Sequence, residues 1–296
     1  MPRKWKYLLS LIGTLMFFML MAGCHQPSNA NTGSKIKIVT STPTYGELAQ
    51  KVSGKYGHVD ILMKNPAADP HDFEPSVQAA KQTSQAQIAV YNGLGYDAWM
   101  KKLINDRQNL SQINVSTLAH TSQSNPHVWY QLATMERTAL KLATLLGQKQ
   151  PAHKEYFQRQ ARKYIKSLAP LKKQLQQIKA HRNQQQVAVS EPVFDYSLQA
   201  MGYQVVNTQF AQAIEEGRDP APQDVAHLQQ QIRQRQIAFF VVNQQTTNPV
   251  VQNLQTLARR HQIPIIAVRE SQPAQQTYVQ WMQKQYQAVL QSEAQK

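Results

Sequence analysis

Lys35-Ile36-Lys37-Ile38-Val39-Thr40 alternates polar and β-branched side chains, the pattern of a strand. What surrounds it sets the architecture. Pro43 and Tyr45 open a helix that runs to about Val52, and Val59-Asp60-Ile61-Leu62-Met63 reads as a second strand. Ser76 to Ser84 is a short helix, and Ile88-Ala89-Val90-Tyr91-Asn92 a third strand. The turn Gly93-Leu94-Gly95 then leads to a helix with Trp99 and Leu103. Strands that alternate with helices need crossover connections, and crossovers give a parallel sheet.

The same logic returns in the second half. Val187-Ala188-Val189-Ser190, Tyr203-Gln204-Val205-Val206, Ile237 to Val242 and Ile263 to Val268 read as strands. Helices over Phe194–Met201, Pro222–Arg235, Pro249–His261 and Thr277–Leu290 separate or follow them. Between the halves, Met135–Leu146 and Pro151 to about Ala180 are helical. Tyr156, Tyr164, Ile165, Leu168, Leu171, Leu175 and Ile178 fall at helix-compatible spacing in the second stretch. Pro170 must kink that helix or start a new one. The fold class is therefore α/β, with two parallel-sheet lobes joined by a long connector helix and a ligand cleft between them. The boundaries are 35–148 for the N-terminal lobe, 149–183 for the connector and 184–296 for the C-terminal lobe. Ligands in such sheets sit at the carboxyl ends of strands.

Residues 1–23 read as a secretory signal: Arg3, Lys4 and Lys6, then an apolar run from Leu8 to Met21, then Ala22 and Gly23 before Cys24. The run is short for a membrane span. Cys24 is the only cysteine, so no disulfide forms within the chain. Residues 24–34 are polar, with Pro, Asn, Ser and Gly, and read as a flexible tether. The net charge is +15, of which +12 remains from Cys24 onward. The basic residues are scattered on helices without interleaved aromatics or a zinc-finger pattern, which argues against nucleic acid as the partner.

Four loops carry candidate chemistry. Asp69-Pro70-His71 follows the second strand, and Asn125-Pro126-His127-Val128-Trp129 is Pro-marked. Ser190-Glu191-Pro192 and Arg269-Glu270-Ser271 each directly follow a strand. Two imidazoles and two carboxylates make a complete four-residue metal site. His120, close to His127 in sequence, is a candidate outer ligand.

Several of these stretches resemble the metal-binding receptors of bacterial ABC importers for zinc and manganese. Asp69 to Ser76 resembles that family's first-ligand motif, Tyr91 to Trp99 its next block, and Asn125 to Trp129 its second-ligand motif. The resemblance spans about residues 35–292. It implies metal ligation by His71, His127, Glu191 and Glu270, where Glu270 stands for a position commonly Asp and water is the alternative fourth ligand. Met21-Ala22-Gly23-Cys24 resembles a lipobox, with Met in place of the usual Leu. It implies a diacylglyceryl anchor on Cys24 that holds the chain, extracytoplasmic, to the outer face of the cell membrane. The resemblance further implies a monomer that carries one divalent ion as cargo to a permease and its ATPase, joined by a rigid helix that limits closure. The segment Leu118 to Asn125 is short and holds only His120, unlike the His-rich loop of many zinc members. With Glu191, this tilts the cargo toward Mn2+ over Zn2+.

Two competing functions remain. A secreted metallohydrolase would leave a coordination position open for water, with Glu270 as general base. No His-Glu-x-x-His helix and no Ser elbow accompany such a site. An adhesin or wall-binding lipoprotein would use the basic surface, with the metal structural. A receptor without catalysis is the expectation.

Overall fold

The computed structural model describes residues 34–294 apart from 72, 106, 120–123 and 183. The signal segment, Cys24, most of the tether and His120 lie outside the described residues. No helix among the described residues is long and apolar enough to cross a membrane.

The N-terminal lobe runs β1 (Ile36–Thr40), α1 (Pro43–Ser53), β2 (Gly57–Ile61), α2 (Val77–Gln85), β3 (Ile88–Tyr91), α3 (Trp99–Ile104) and β4 (Ser111–Asn114). Its four strands pair in parallel in the order β2-β1-β3-β4. Ile38 of β1 stands between Val59 of β2 and Ile88 of β3. Helices cover both faces, so the inner strands are apolar on both sides; every residue of β3 is buried. Pro43 occupies the first turn of α1, where its missing N–H costs nothing. Ser76 caps α2 by accepting the Ala79 N–H at 3.2 Å. After α1, Gly54 has φ +52°, and a Cβ there would stand 2.0 Å from the Tyr156 hydroxyl. Both conformation and contact demand glycine.

The N-terminal lobe closes with α4 (Leu132–Lys149), which packs on α1. After a turn at Pro151–His153 come α5 (Lys154–Ser167) and α6 (Ala169–His181). The connector is thus two helices that meet at Leu168, the second of the two outcomes expected at Pro170. Pro170 lies in the first turn of α6, because in a continuous helix its ring would strike the carbonyl of Lys166. Helix α5 packs on α1 and α4.

The C-terminal lobe runs β5 (Gln186–Val189), α7 (Asp195–Met201), β6 (Gln204–Val205), α8 (Thr208–Glu215), α9 (Pro222–Arg233), β7 (Phe240–Asn243), α10 (Pro249–Arg260), β8 (Ile265–Val268) and α11 (Tyr278–Ala294). Its strand order, β6-β5-β7-β8, repeats that of the first lobe. Helix α6 packs on α7 and α11. Helix α8 has no counterpart in the sequence expectations. Strand β7 begins at Phe240 rather than Ile237, although Ala238 N–H already bonds the Gln186 carbonyl at 2.7 Å.

One apolar core joins the lobes. Across the junction the Tyr130 ring contacts Phe194 and Trp281, Phe194 contacts Tyr286, and Trp129 and Tyr278 belong to the same buried cluster. Truncating a buried aromatic there, such as Phe194, costs about 3–5 kcal/mol. Hydrogen bonds reinforce it. Tyr278 donates to the Trp129 carbonyl at 2.6 Å, and Glu47 of α1 accepts from the Gln272 amide at 2.6 Å and the Tyr278 N–H at 2.7 Å.

Candidate metal centre

The two sheets place loops at the carboxyl ends of their strands, and the edge strands supply the chemistry. His71 lies in the loop after β2 and His127 in the segment after β4. Glu215 ends α8, which follows β6, and Glu270 follows β8. Each lobe therefore contributes one side chain after each of its two edge strands.

His127 Nε2 stands 3.5 Å from Glu215 Oε1 and 3.7 Å from Glu270 Oε1; His71 Nε2 stands 3.7 Å from the same Glu215 oxygen. These separations are too long for good hydrogen bonds. Three of these atoms, His127 Nε2, Glu215 Oε1 and Glu270 Oε1, are buried with no hydrogen-bond partner. Buried polar atoms are nearly always satisfied, so three that face one another call for an explanation. A cation among them supplies one. Donors about 2.0–2.2 Å from a common ion stand about 3.3–3.6 Å apart in a tetrahedron.

Each side chain is held by its neighbours. Asn125 Oδ1 meets both the His127 N–H at 2.9 Å and Nδ1 at 2.7 Å. An acceptor at Nδ1 puts the ring proton there and turns the Nε2 lone pair to the site. Asn92, itself bonded by the Tyr45 hydroxyl, donates to the Pro126 carbonyl at 2.8 Å. Asn125 Nδ2 reaches the Pro192 carbonyl of the other lobe at 2.7 Å, and the Tyr196 hydroxyl returns to the Asn125 carbonyl at 2.9 Å. On the His71 loop, Asp69 Oδ1 accepts the His71 N–H at 2.8 Å, and Trp99 Nε1 donates to the Pro70 carbonyl at 3.1 Å. Gln245 fixes the Glu270 loop: its Oε1 accepts the N–H groups of Glu270 at 2.9 Å and Ser271 at 3.1 Å. Its Nε2 reaches the Pro66 carbonyl in the opposite lobe at 3.4 Å.

Glu191 is also buried, but its position differs from that of the other carboxylates. Its Oε2 accepts from Asn243 Nδ2 at 2.6 Å, and among the described residues it forms no ion pair with either histidine. The structure thus brings His71, His127 and Glu270 together with Glu215, which the sequence reading had not singled out, and sets Glu191 beside Asn243. Asp195, at the start of α7, adds a further, partly buried carboxylate whose buried Oδ1 has no hydrogen-bond partner.

The electrostatics follow from this geometry. Burial pushes the Glu215 carboxyl up, but the His127 and His71 imidazoles outweigh it and hold the group below the usual carboxylate value. His71 is raised by its attraction to Glu215, against burial. Burial lowers His127, yet Glu215 and Glu270 together bring it out above 6.5. Burial raises Glu191, with Asn243 opposing, and the carboxylates of Glu215 and Glu270 add to the rise. Burial likewise pushes Asp195 up to about 6.

A cleft of about 620 Å3 opens onto the site, lined by Asp69, His71, Leu94, Pro126, Gln212 and Glu215 among others. The His71 side chain is 38% exposed, His127 is fully buried, and Glu215 and Glu270 are each 11% exposed. Solvent therefore reaches the centre chiefly past His71.

Comparison with known proteins bears on this geometry. A family model described as zinc-uptake complex component A, periplasmic, matches residues 38–292. The metal ABC transporter substrate-binding lipoprotein FimA of Streptococcus parasanguinis is 25% identical over 286 residues, covering 90% of this chain and 89% of its own. The manganese ABC transporter substrate-binding lipoprotein PsaA of Streptococcus anginosus is 24% identical over 283 residues, covering 86% and 88%. The solved structure of the substrate-binding protein FpvC from P. aeruginosa in complex with Ni2+ superposes with a TM-score of 0.74 at 19% identity, covering 88% of this chain and 98% of that one. At that identity the likeness speaks to the fold.

Proposed function

The chain belongs to the periplasmic zinc-uptake complex component A family, and from that premise we propose that it is an extracytoplasmic receptor that captures one divalent transition-metal ion and delivers it to an ABC permease powered by its ATPase. The ligands are His71, His127, Glu215 and Glu270. The observation that carries this reading is the trio of buried, unpartnered atoms, His127 Nε2, Glu215 Oε1 and Glu270 Oε1, that face one another at ligand-like separations. Glu191 acts from outside this set, held by Asn243 and adding negative charge behind Glu215 and Glu270.

With four protein donors on one ion, little room is left for a reactive water, which suits cargo and not catalysis. Two imidazoles and two carboxylates form a mixed set. The carboxylate share favours Mn2+, while intrinsic affinity favours Zn2+. We read Mn2+ as the cargo, with Zn2+ as the tighter-binding competitor in vitro. Anchoring through a lipid on Cys24, and a working monomer, complete the proposal.

The test is metal binding by the purified chain, with elemental analysis of protein taken from its own cells. The double variant His71→Ala/His127→Ala should lose the melting shift that added Mn2+ or Zn2+ produces. An unchanged shift overturns the site.

A further inference from the structure

The charge of the chain is unevenly spread. Residues 154–182, helices α5 and α6 with the residue after them, hold nine Lys or Arg and a single acid, Glu155. That segment carries +8 of the +12 borne from Cys24 onward, in about a tenth of the residues. The helix geometry turns this into a surface. Phe157, Ala161, Tyr164 and Leu168 are buried against the lobes. Arg159, Arg162, Lys163 and Lys166, at spacings of three and four, share the opposite, exposed face of α5. Lys172, Lys173 and Lys179 continue the exposed positive charge along α6. Of these only Lys172 has an acidic partner, Glu136 at 2.5 Å. The rest form no ion pair among the described residues. The basic side chains are not used by the metal centre, which lies among the strand-end loops.

We propose that this connector face is a docking surface for the phosphate headgroups of an anionic lipid bilayer, which holds the receptor against the membrane to which Cys24 would tether it. The inference rests on the receptor reading for its tether only. Charge complementarity selects the partner. A basic side chain near an anionic membrane surface strengthens binding about fivefold, and the effect falls off within a Debye length. A flexible linker of ten residues has a mean span of roughly 18 Å, which keeps the receptor close to the surface that would anchor it. The surface lacks large exposed apolar side chains, so it fits a headgroup layer and not the bilayer interior; among the described residues the exposed large apolar ones, Val77, Leu94 and Leu140, lie outside it.

The experiment is lysine acetylation footprinting of the full chain on vesicles of phosphatidylcholine alone or mixed with one third phosphatidylglycerol. On the anionic vesicles Lys163, Lys166 and Lys173 should react several-fold more slowly than without vesicles, while exposed Lys101 and Lys102 are unchanged. High salt should remove the protection. Replacing Arg159, Arg162 and Lys179 by Gln should weaken it, whereas the same change at Arg233, Arg235 and Arg259 should not. Equal reactivity of connector and control lysines overturns the proposal. So does protection that persists on neutral vesicles, or protection by soluble polyphosphate that anionic vesicles do not match, which would assign the face to an anionic polymer. Metal binding, measured on the same samples, stands or falls separately.

Discussion

Replacement of Glu215 by Gln is the sharpest probe of the centre. The change keeps the side chain's shape and removes one negative charge from an oxygen that faces both His71 and His127 at 3.7 and 3.5 Å. Structural Zn2+ sites bind with roughly 10–16 kcal/mol near neutral pH, so one of four ligands carries about 3 kcal/mol, or about 100- to 200-fold in affinity. Glu191→Gln, which alters a carboxylate bonded to Asn243, should cost about 10-fold, the low end for groups beyond the ligands. Competition against a fluorescent chelator, with Mn2+ and with Zn2+, reads both numbers. A metal-free control tests the contact itself. Because Glu215 raises both imidazoles, their titration followed by NMR should move down toward the ordinary value in Glu215→Gln. If Glu191→Gln loses over 100-fold while Glu215→Gln binds as the parent does, the ligand assignment is refuted and the four-loop reading of the sequence is restored.

Four more outcomes are expected. Asn125→Ala removes the acceptor at His127 Nδ1 and should weaken metal about 10- to 100-fold with little change in fold; calorimetric titration that finds parent affinity would show the imidazole is fixed by other means. Gln245→Ala frees the Glu270 and Ser271 amides and the link to Pro66, and should speed metal dissociation about 10-fold, measured by stopped-flow with excess chelator; an unchanged rate excludes a positioning role. Asp195 is pushed up to about 6 by burial, so its charge penalises folding as pH rises from near 3.8 through that value. Asp195→Asn should therefore stabilise the metal-free protein by up to about 3 kcal/mol above that range and hardly at all in acid, read from melting curves against pH. The two histidines give opposite signs with and without metal. Their raised folded values stabilise the metal-free protein fully below about 6.5, and this is lost as pH rises through the folded values. Metal needs them neutral, so affinity falls as pH drops through those same values. The metal-induced melting shift should grow from about pH 6 to about pH 8, and a flat or falling shift contradicts the assignment.

The alternation of short β-branched runs with amphipathic helices made both lobes legible, down to the break forced by Pro170. Element ends moved by a few residues, as at Phe240, where local hydrophobicity continues past the ladder. Of the side chains that converge in the proposed centre, His71, His127 and Glu270 could be picked out in advance because each sits in a loop with a clear neighbour, a proline or a strand end. Glu215 was not. It ends a helix of eight residues whose only sequence marks are the buried Phe210, Ala211, Ala213 and Ile214 and the acidic pair before Gly217. A second signal existed in the repeat of the two lobes. Equal strand orders make β6 the counterpart of β2, so the partner of the His71 loop is the segment after β6 and not the one after β5 that holds Glu191. That argument needs the strand order, and adjacency along the chain conceals it. Asn243 and Gln245, and the role of Asn125 within its motif, were hidden for a related reason: a polar side chain declares its role only when the groups it binds are known.

The shared aromatic core and the bonds across the junction give the four donors a common frame that resists wide opening. Exchange must then proceed as from a socket, one bond at a time and from one side. His127 is sealed, the two carboxylates are nearly so, and His71 stands at the mouth on a loop held by Asp69 and Trp99. On the proposed ligand set, an ion leaving this centre would part from His71 first. A channel that works that single loop, through Pro70 and its neighbours, can unload the receptor without prising its halves apart.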